Sequence, residues 1–153
     1  CENNFYAMGT AIDRQSAVTD MSQRGLGVGM VREQFEGFDV EHVRQRVAAA
    51  VDFARSGQGP VILEIVTYRH KGHSMSDPAK YRPVGELEEK KKSDPLLITE
   101  ARLRDLGLGD ADLDAIRERV EEVAKDAYAY ADSSPVPDER ALYDYTYAPT
   151  RTA

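Results

Sequence analysis

The sequence has no tryptophan and a single cysteine, Cys1, among its 153 residues. One thiol cannot close an internal disulfide, so the fold must hold without covalent staples, as in proteins of a reducing compartment. Long apolar runs are also missing. Spanning a bilayer takes about 18 apolar residues, whereas the longest run here, Val61 to Val66, is interrupted by Glu64. No membrane association is expected. Positive charge is in short supply, because 20 Lys and Arg stand against 27 Asp and Glu, for a net charge of −7. Such a balance repels phosphate backbones and argues against nucleic acid as a partner. Absent too are a Walker A loop, a G-x-G-x-x-G turn, H-E-x-x-H, paired cysteines and a G-x-S-x-G elbow. Gly25-Leu26-Gly27-Val28-Gly29 is glycine-rich, but it precedes a predicted strand instead of following one and opening a helix. It does not read as a phosphate loop.

What remains is the composition of a soluble globular protein, 41% hydrophobic and 31% charged. A chain of this length holds one domain with a core of its own. Its first residue is Cys1 where a methionine is expected, and the chain is therefore read as the downstream part of a longer protein. Residues 1–10 suggest a strand closing into a loop, followed by a short helix over Asp13–Arg24 that stops at Gly25. Gly25, Gly27 and Gly29 then suggest a loose connection into a strand over Met30–Gln34. The clearest helix runs over Val40–Ser56, with Asp39 as N-cap, apolar residues recurring at helical spacing, and Gly57 at a left-handed C-cap. The β-branched run PVILEIVTY follows as a buried strand. Strand, helix and strand in that order predict a parallel sheet covered on both faces.

Residues 69–83, RHKGHSMSDPAKYRP, carry no apolar periodicity, and a polar loop this long in a compact domain is commonly functional. It leaves the carboxyl end of a strand, where open α/β sheets bind ligands. Helices are expected over Gly85–Lys92, Leu96–Leu106 and Asp110–Ala131, the last with Leu113, Ile116, Val120, Val123, Ala127 and Tyr130 on one stripe. Lys90-Lys91-Lys92 follow Glu86, Glu88 and Glu89 and read as a solvated face with intrahelical ion pairs. From Ser133 the chain reads as extended, with Leu142, Tyr143, Tyr145 and Tyr147 suited to packing on a neighbour.

Several side chains can carry chemistry. Asn3-Asn4 can offer amide oxygens to a hard cation such as magnesium, or simply form a turn. His70 and His73 flank Lys71-Gly72, and with Arg69 they make a cationic island on an acidic chain. That island suits an anionic ligand, or else a solvated loop. His42 reads as structural or exposed. Ser74 has no base and orienter around it to make it a nucleophile; it can accept a phosphoryl group or cap a local turn.

Taken together, CENNFYAMGT and TYRHKGHSMSDPAKYR resemble segments of the alpha subunits of thiamine-diphosphate-dependent 2-oxo acid dehydrogenases. The first resembles the end of that family's cofactor-binding motif, and the second its active-site loop. SGQGPVILEIVTYR between them is similar as well. The resemblance runs through nearly all of residues 1–100 and implies an α/β fold: the C-terminal half of a thiamine-diphosphate-binding parallel-sheet domain (1–83), then a helical region (84–132) and an extended tail (133–153). It implies magnesium held by the Asn4 side chain and the Tyr6 backbone carbonyl. His73 would be the catalytic and cofactor-binding residue, Arg69 and Arg82 supporting loop positions, and Ser74 the match to a regulatory phosphorylation site. Met75-Ser76-Asp77-Pro78 and Tyr6-Ala7-Met8-Gly9 point within the family to the pyruvate type.

In this family the glutamate that activates the cofactor lies on the beta subunit. The resemblance therefore implies an assembly of two alpha and two beta chains, inactivity of this chain alone, and delivery of the acetyl unit to the lipoyl domain of an acyltransferase partner. Lys71-Gly72-His73 departs from the family's common His-Gly-His. The segment DPAKYR is shorter than its animal counterpart, and Ala11 replaces a phosphorylatable position. These differences suit a bacterial cytoplasmic enzyme better than a mitochondrial one and weigh against control by phosphorylation. A branched-chain 2-oxo acid or acetoin dehydrogenase alpha subunit is the alternative within the family. A non-catalytic partner-binding module is the alternative outside it.

Overall fold

A computed structural model describes residues 1–144, 146 and 147. The chain divides into two compact units, Cys1–Gly107 and Leu108–Ala153. The first contains a three-stranded parallel sheet in the order β1 (Glu2–Asn3), β5 (Val61–Val66), β4 (Val31–Glu36). β4 and β5 run in register from Val31 opposite Val61 to Glu36 opposite Val66, and Glu2 and Asn3 lie opposite Ile65 and Val66 on the other edge of β5. Helix α2 (Val40–Arg55) makes the crossover between β4 and β5. This is the strand–helix–strand unit that the hydrophobic pattern predicts, and it puts the ends of β1 and β5 side by side.

Asp39 caps α2, accepting from the backbone N–H groups of Glu41 at 2.9 Å and His42 at 3.3 Å. The same carboxylate accepts from Arg102 on α4 (Pro95–Asp105) at 2.7 Å, and those bonds hold it down at about 2. α4 starts as expected, with Asp94 as cap and Pro95 in the first turn. The chain leaves α2 at Gly57 in left-handed backbone. His42 is exposed and sets its ring edge-on to Phe35, with centroids 5.4 Å apart, which is a packing role.

Three expectations need correction in this unit. Residues 13–24 do not form one helix: α1 covers only Ile12–Gln15, and a 3₁₀ segment runs over Met21–Val28, started by Asp20 accepting from the Ser22 N–H. The 3₁₀ segment packs on β4 and β5, so the glycines inside it are not a loose connection. A Cβ on Gly25 would stand 2.6 Å from the Ile62 Cγ2, and only glycine permits that approach. The strand Val61–Val66 forms as expected, yet its apolar side chains stay half-buried. Glu64 is its one fully buried residue. Strand alternation puts Ile62 and Glu64 on the face met by the 3₁₀ segment, while Leu63 and Ile65 face the other way, as does Phe35 opposite Ile65.

α3 covers Glu86–Lys91. Lys91 and Lys92 pair with Glu88 and Glu89 at 2.7 and 2.6 Å, as the sequence suggests. Lys90 instead places its ammonium 5.2 Å from the centre of the Phe5 ring.

The second unit contains α5 (Asp110–Ser133) and α6 (Ala141–Asp144). α5 carries the expected stripe, of which only Leu113 is buried. Ile116, Val120, Val123 and Tyr130 are open. The tail is not wholly extended, since α6 interrupts it. Its Leu142, Tyr143 and Tyr147 are exposed, while Tyr145 lies outside the described residues. No helix among the described residues is long and apolar enough to cross a membrane.

Candidate functional site

Beyond β1 the chain makes two overlapping side-chain turns. Asn3 Oδ1 accepts from the Phe5 N–H at 3.0 Å, and Asn4 Oδ1 accepts from the Tyr6 N–H at 3.1 Å. Phe5 between them adopts φ 71, left-handed backbone that a bulky residue takes only under constraint. The short antiparallel ribbon β2 (Tyr6–Ala7) and β3 (Thr10–Ala11) follows. The turn reading of the asparagine pair is therefore realised. It does not exhaust Asn4, because an amide oxygen has a second lone pair.

Residues 67–85 form neither helix nor strand. The loop is nonetheless fastened at two points. Asp77 collects the His73 N–H at 2.7 Å, the Ala79 N–H at 2.8 Å and the Tyr81 hydroxyl at 2.8 Å. A Cβ at Gly72 would collide with the backbone of Asp77, so glycine is required where the loop doubles back. Arg69 ties the same turn by donating to the carbonyls of Gly72 at 3.1 Å and His73 at 3.2 Å.

Arg82 is the second fastening. Its two terminal nitrogens donate to the carbonyls of His70 at 3.0 Å and Lys71 at 3.2 Å. Its guanidinium lies 5.1 Å from the ring centre of Tyr68, 5.6 Å from Tyr6 and 5.9 Å from Tyr81. These distances are within cation–π range, so one side chain binds the loop to the asparagine segment. Tyr6 completes the link through its hydroxyl, which donates to the Glu86 carboxylate at 2.9 Å. Burial, and then that carboxylate, push the Tyr6 hydroxyl up to about 12.

The three backbone and hydroxyl donors hold the Asp77 carboxyl below its ordinary range, with the His73 N–H contributing most. A carboxyl held lower in the folded loop than in the open chain stabilises the loop above the open-chain value near 4. The contribution is lost only as pH falls through the lower folded value. The loop should thus keep its form from about pH 5 to 8 and loosen in acid. In Asp77→Asn an amide NH₂ must face a donor. Limited proteolysis within residues 71–82 should then quicken on the order of tenfold at neutral pH. Unchanged cleavage would show that Asp77 does not hold the loop.

Asn4, Tyr6, Arg69, His73 and Arg82 all line one small recess of about 30 Å³, together with Met8 and Tyr81. That volume is the size of a single water or small ion. Asn4 and Tyr6 also border a second recess of about 340 Å³, with Asn3, Phe5, Met21 and Arg24 among its walls. Two expected residues lie elsewhere. Ser74 is exposed, its hydroxyl 3.0 Å from that of Ser76. His70 lines another cavity, its Nδ1 3.6 Å from an Asp94 carboxylate oxygen, so the two loop histidines do not share a site. Among the described residues no three His, Cys, Asp or Glu side chains come together as a metal cluster. The recess offers neutral oxygens edged by Arg69, His73 and Arg82. A hard cation bridging to an anion matches that chemistry.

Nothing in the sequence assigns a role to Tyr68, Tyr81 or Glu64, or to Asp77 as a loop fastener, and Glu86, expected on the solvated ion-paired face, instead accepts from Tyr6. Only Glu64 left a signal, as the lone charge inside an apolar strand.

A family model described as "Dehydrogenase E1 component" matches residues 1–140. The protein named pyruvate dehydrogenase E1 component subunit alpha in Rhizobium meliloti is 46% identical over 144 residues, covering 93% of this chain and 41% of that protein. The protein of that name in Rickettsia conorii is 41% identical over 147 residues, covering 95% and 45%. A testis-specific mitochondrial form from Rattus norvegicus is 38% identical over 150 residues, covering 96% and 38%. The chain thus spans less than half the length of these curated relatives.

Proposed function

The chain belongs to the dehydrogenase E1 component family, and from that premise we propose that it is part of the alpha subunit of a pyruvate dehydrogenase. One observation carries the reading. Residues from the start of the chain and from the loop after β5, singled out separately in the sequence, line one recess. The relatives are named for pyruvate, which favours that substrate over a branched-chain 2-oxo acid or acetoin.

In this reading the Asn4 side chain and the Tyr6 carbonyl supply two oxygens to magnesium. A neutral, partial ligand set suits a cation that keeps water and a diphosphate for its remaining positions. Thiamine diphosphate, when bound, supplies the electron sink for decarboxylation of the 2-oxo acid. His73 presents its imidazole to the cofactor from the loop, and Arg69 and Arg82 hold that loop in place. Ser74, exposed beside His73, is the position a phosphoryl group would occupy. A beta subunit completes the site in a two-alpha, two-beta assembly, and a lipoyl domain of an acyltransferase receives the acetyl unit. The open apolar stripe of α5 supports the need for a covering chain. A bacterial cytoplasm is the compartment this reading favours.

The test uses the full-length alpha chain assembled with its beta subunit. Asn4→Asp sets a negative charge against the diphosphate, and His73→Ala removes the imidazole. Each should weaken magnesium-dependent cofactor binding or turnover by at least about tenfold, whereas His42→Ala should leave both within about twofold. Equal effects at the three positions would sink the site assignment. The absence of any magnesium-dependent response in the intact assembly would favour a non-catalytic module.

A further inference from the structure

We propose that Glu64 is a positioning residue for the segment carrying Asn4 and Tyr6. The inference rests on the reading of those two residues as magnesium ligands. Glu64 is fully buried at the centre of β5, where three neutral donors converge on it and the Asp20 carboxyl, which shares the Ser22 N–H with it, lies alongside. Asn3 Nδ2 on β1 donates to Oε1 at 2.6 Å. The Ser22 N–H in the 3₁₀ segment and Gln34 Nε2 on β4 donate to Oε2 at 3.0 and 3.1 Å. One carboxylate therefore joins three elements, and one of its oxygens serves Asn3 alone.

That division of labour sets the orientation of the Asn3 amide. With Nδ2 given to Glu64, Oδ1 must point the other way, where it accepts from the Phe5 N–H at 3.0 Å. Phe5 at φ 71 is held in a conformation it would not choose, and Asn4 Oδ1 closes the second turn by accepting from the Tyr6 N–H. If the Asn3 amide turns over, its NH₂ meets the Phe5 N–H and the first turn opens. Asn4 and Tyr6 then lose the base that aims their oxygens. Glu64 does not line the recess of Asn4, Tyr6 and His73, and it acts there only through Asn3.

Glu64→Gln isolates this link. The new side chain keeps its oxygen toward the two donors, Ser22 and Gln34, and turns its NH₂ toward Asn3, donor against donor. Adding Asn3→Asp reverses the pair. The carboxylate so introduced accepts both from the new amide on β5 and from the Phe5 N–H, with net charge unchanged.

The experiment uses the full-length alpha chain with its beta subunit. Thiamine diphosphate binding is followed by titration calorimetry over a magnesium series, and amide exchange over residues 3–8 is measured in the cofactor-free enzyme. Glu64→Gln should raise the half-saturating magnesium concentration on the order of tenfold and speed exchange at Phe5 and Tyr6. The double variant should return both toward the parent values. An unchanged midpoint and exchange in Glu64→Gln, with Asn4→Ala still raising the midpoint, would overturn the role of Glu64 and leave the metal reading standing. An inert Asn4→Ala would overturn both. Should Glu64→Gln fail to assemble, Asn3→Asp alone cuts the same link, acceptor against acceptor, while keeping an oxygen for the Phe5 N–H. It must raise the midpoint likewise, and an unmoved midpoint there also overturns the proposal.

Discussion

On the proposed reading, Arg82→Ala in the assembled enzyme should cost on the order of a hundredfold in turnover, the scale that a small misplacement of an active-site segment produces. The side chain closes the loop at the carbonyls of His70 and Lys71 and lies among the rings of Tyr6, Tyr68 and Tyr81. Two charge-assisted bonds at about 1.5–3 kcal/mol each and ring contacts of about 0.5–1 kcal/mol each add to the bonds of Asp77 and Arg69 against the entropy of ordering this segment. The loop that carries His73 should therefore lose its single conformation. Lysine should not rescue it, since one ammonium cannot bridge two carbonyls and stack on the rings at once. Steady-state kinetics with Arg82→Ala and Arg82→Lys, beside proteolysis of the loop, reads both effects. If either variant keeps near-parent turnover, the loop is ordered by something other than Arg82.

The second large effect is on stability. Glu64→Leu removes the acceptor from the buried Asn3 Nδ2, at about 1–3 kcal/mol for a buried donor left unpaired. It also removes the bond from Gln34 Nε2, at about 0.5–1.5 kcal/mol for a side-chain hydrogen bond, part of which the more open Gln34 regains from water. The Ser22 N–H keeps its bond to Asp20. Burying leucine returns about 2 kcal/mol at most in a site shaped for a carboxylate, so the net loss should be about 2 kcal/mol. It would be seen as faster thermal inactivation of the assembled enzyme. Gln34→Leu alone gives up the same bond. Once Glu64 is replaced that bond is already gone, so Gln34→Leu should cost less there than in the parent. The two substitutions then fail to add, as expected for groups in one network. Simple additivity would show that Glu64 and Gln34 do not share their bond energetically.

The two expectations trace back to different amounts of information in the sequence. The helix over 40–55 and its Asp39 cap, the start of α4 at Asp94-Pro95, and the parallel pairing of β4 with β5 were legible, because each follows from local spacing and capping chemistry. The region 12–28 was not. Its glycines look like punctuation along the chain, but Gly25 is there to let the backbone approach Ile62, far along the sequence. Likewise Glu64 interrupts an apolar run, and nothing near it in sequence says whether it faces solvent or core. Its donors come from positions 3, 22 and 34. The spacing along α5 predicts its apolar stripe but not the stripe's exposure, because periodicity fixes which residues share a face and is silent on what covers it.

For the candidate site, local composition marked Arg69 and His73 as part of a cationic island, while the roles of Asn4 and Arg82 came only from the family resemblance of their segments. Only the tertiary structure decided that these four share a recess with Tyr6, that His70 and Ser74 do not, and that Asp77, Arg82 and Glu64 hold the segments in place. The physical reason is range. Capping, turn formation and hydrophobic periodicity act over a few residues and are written in consecutive letters. Burial of a charge and convergence of donors on it depend on which distant strands become neighbours, and that is settled only when the sheet forms.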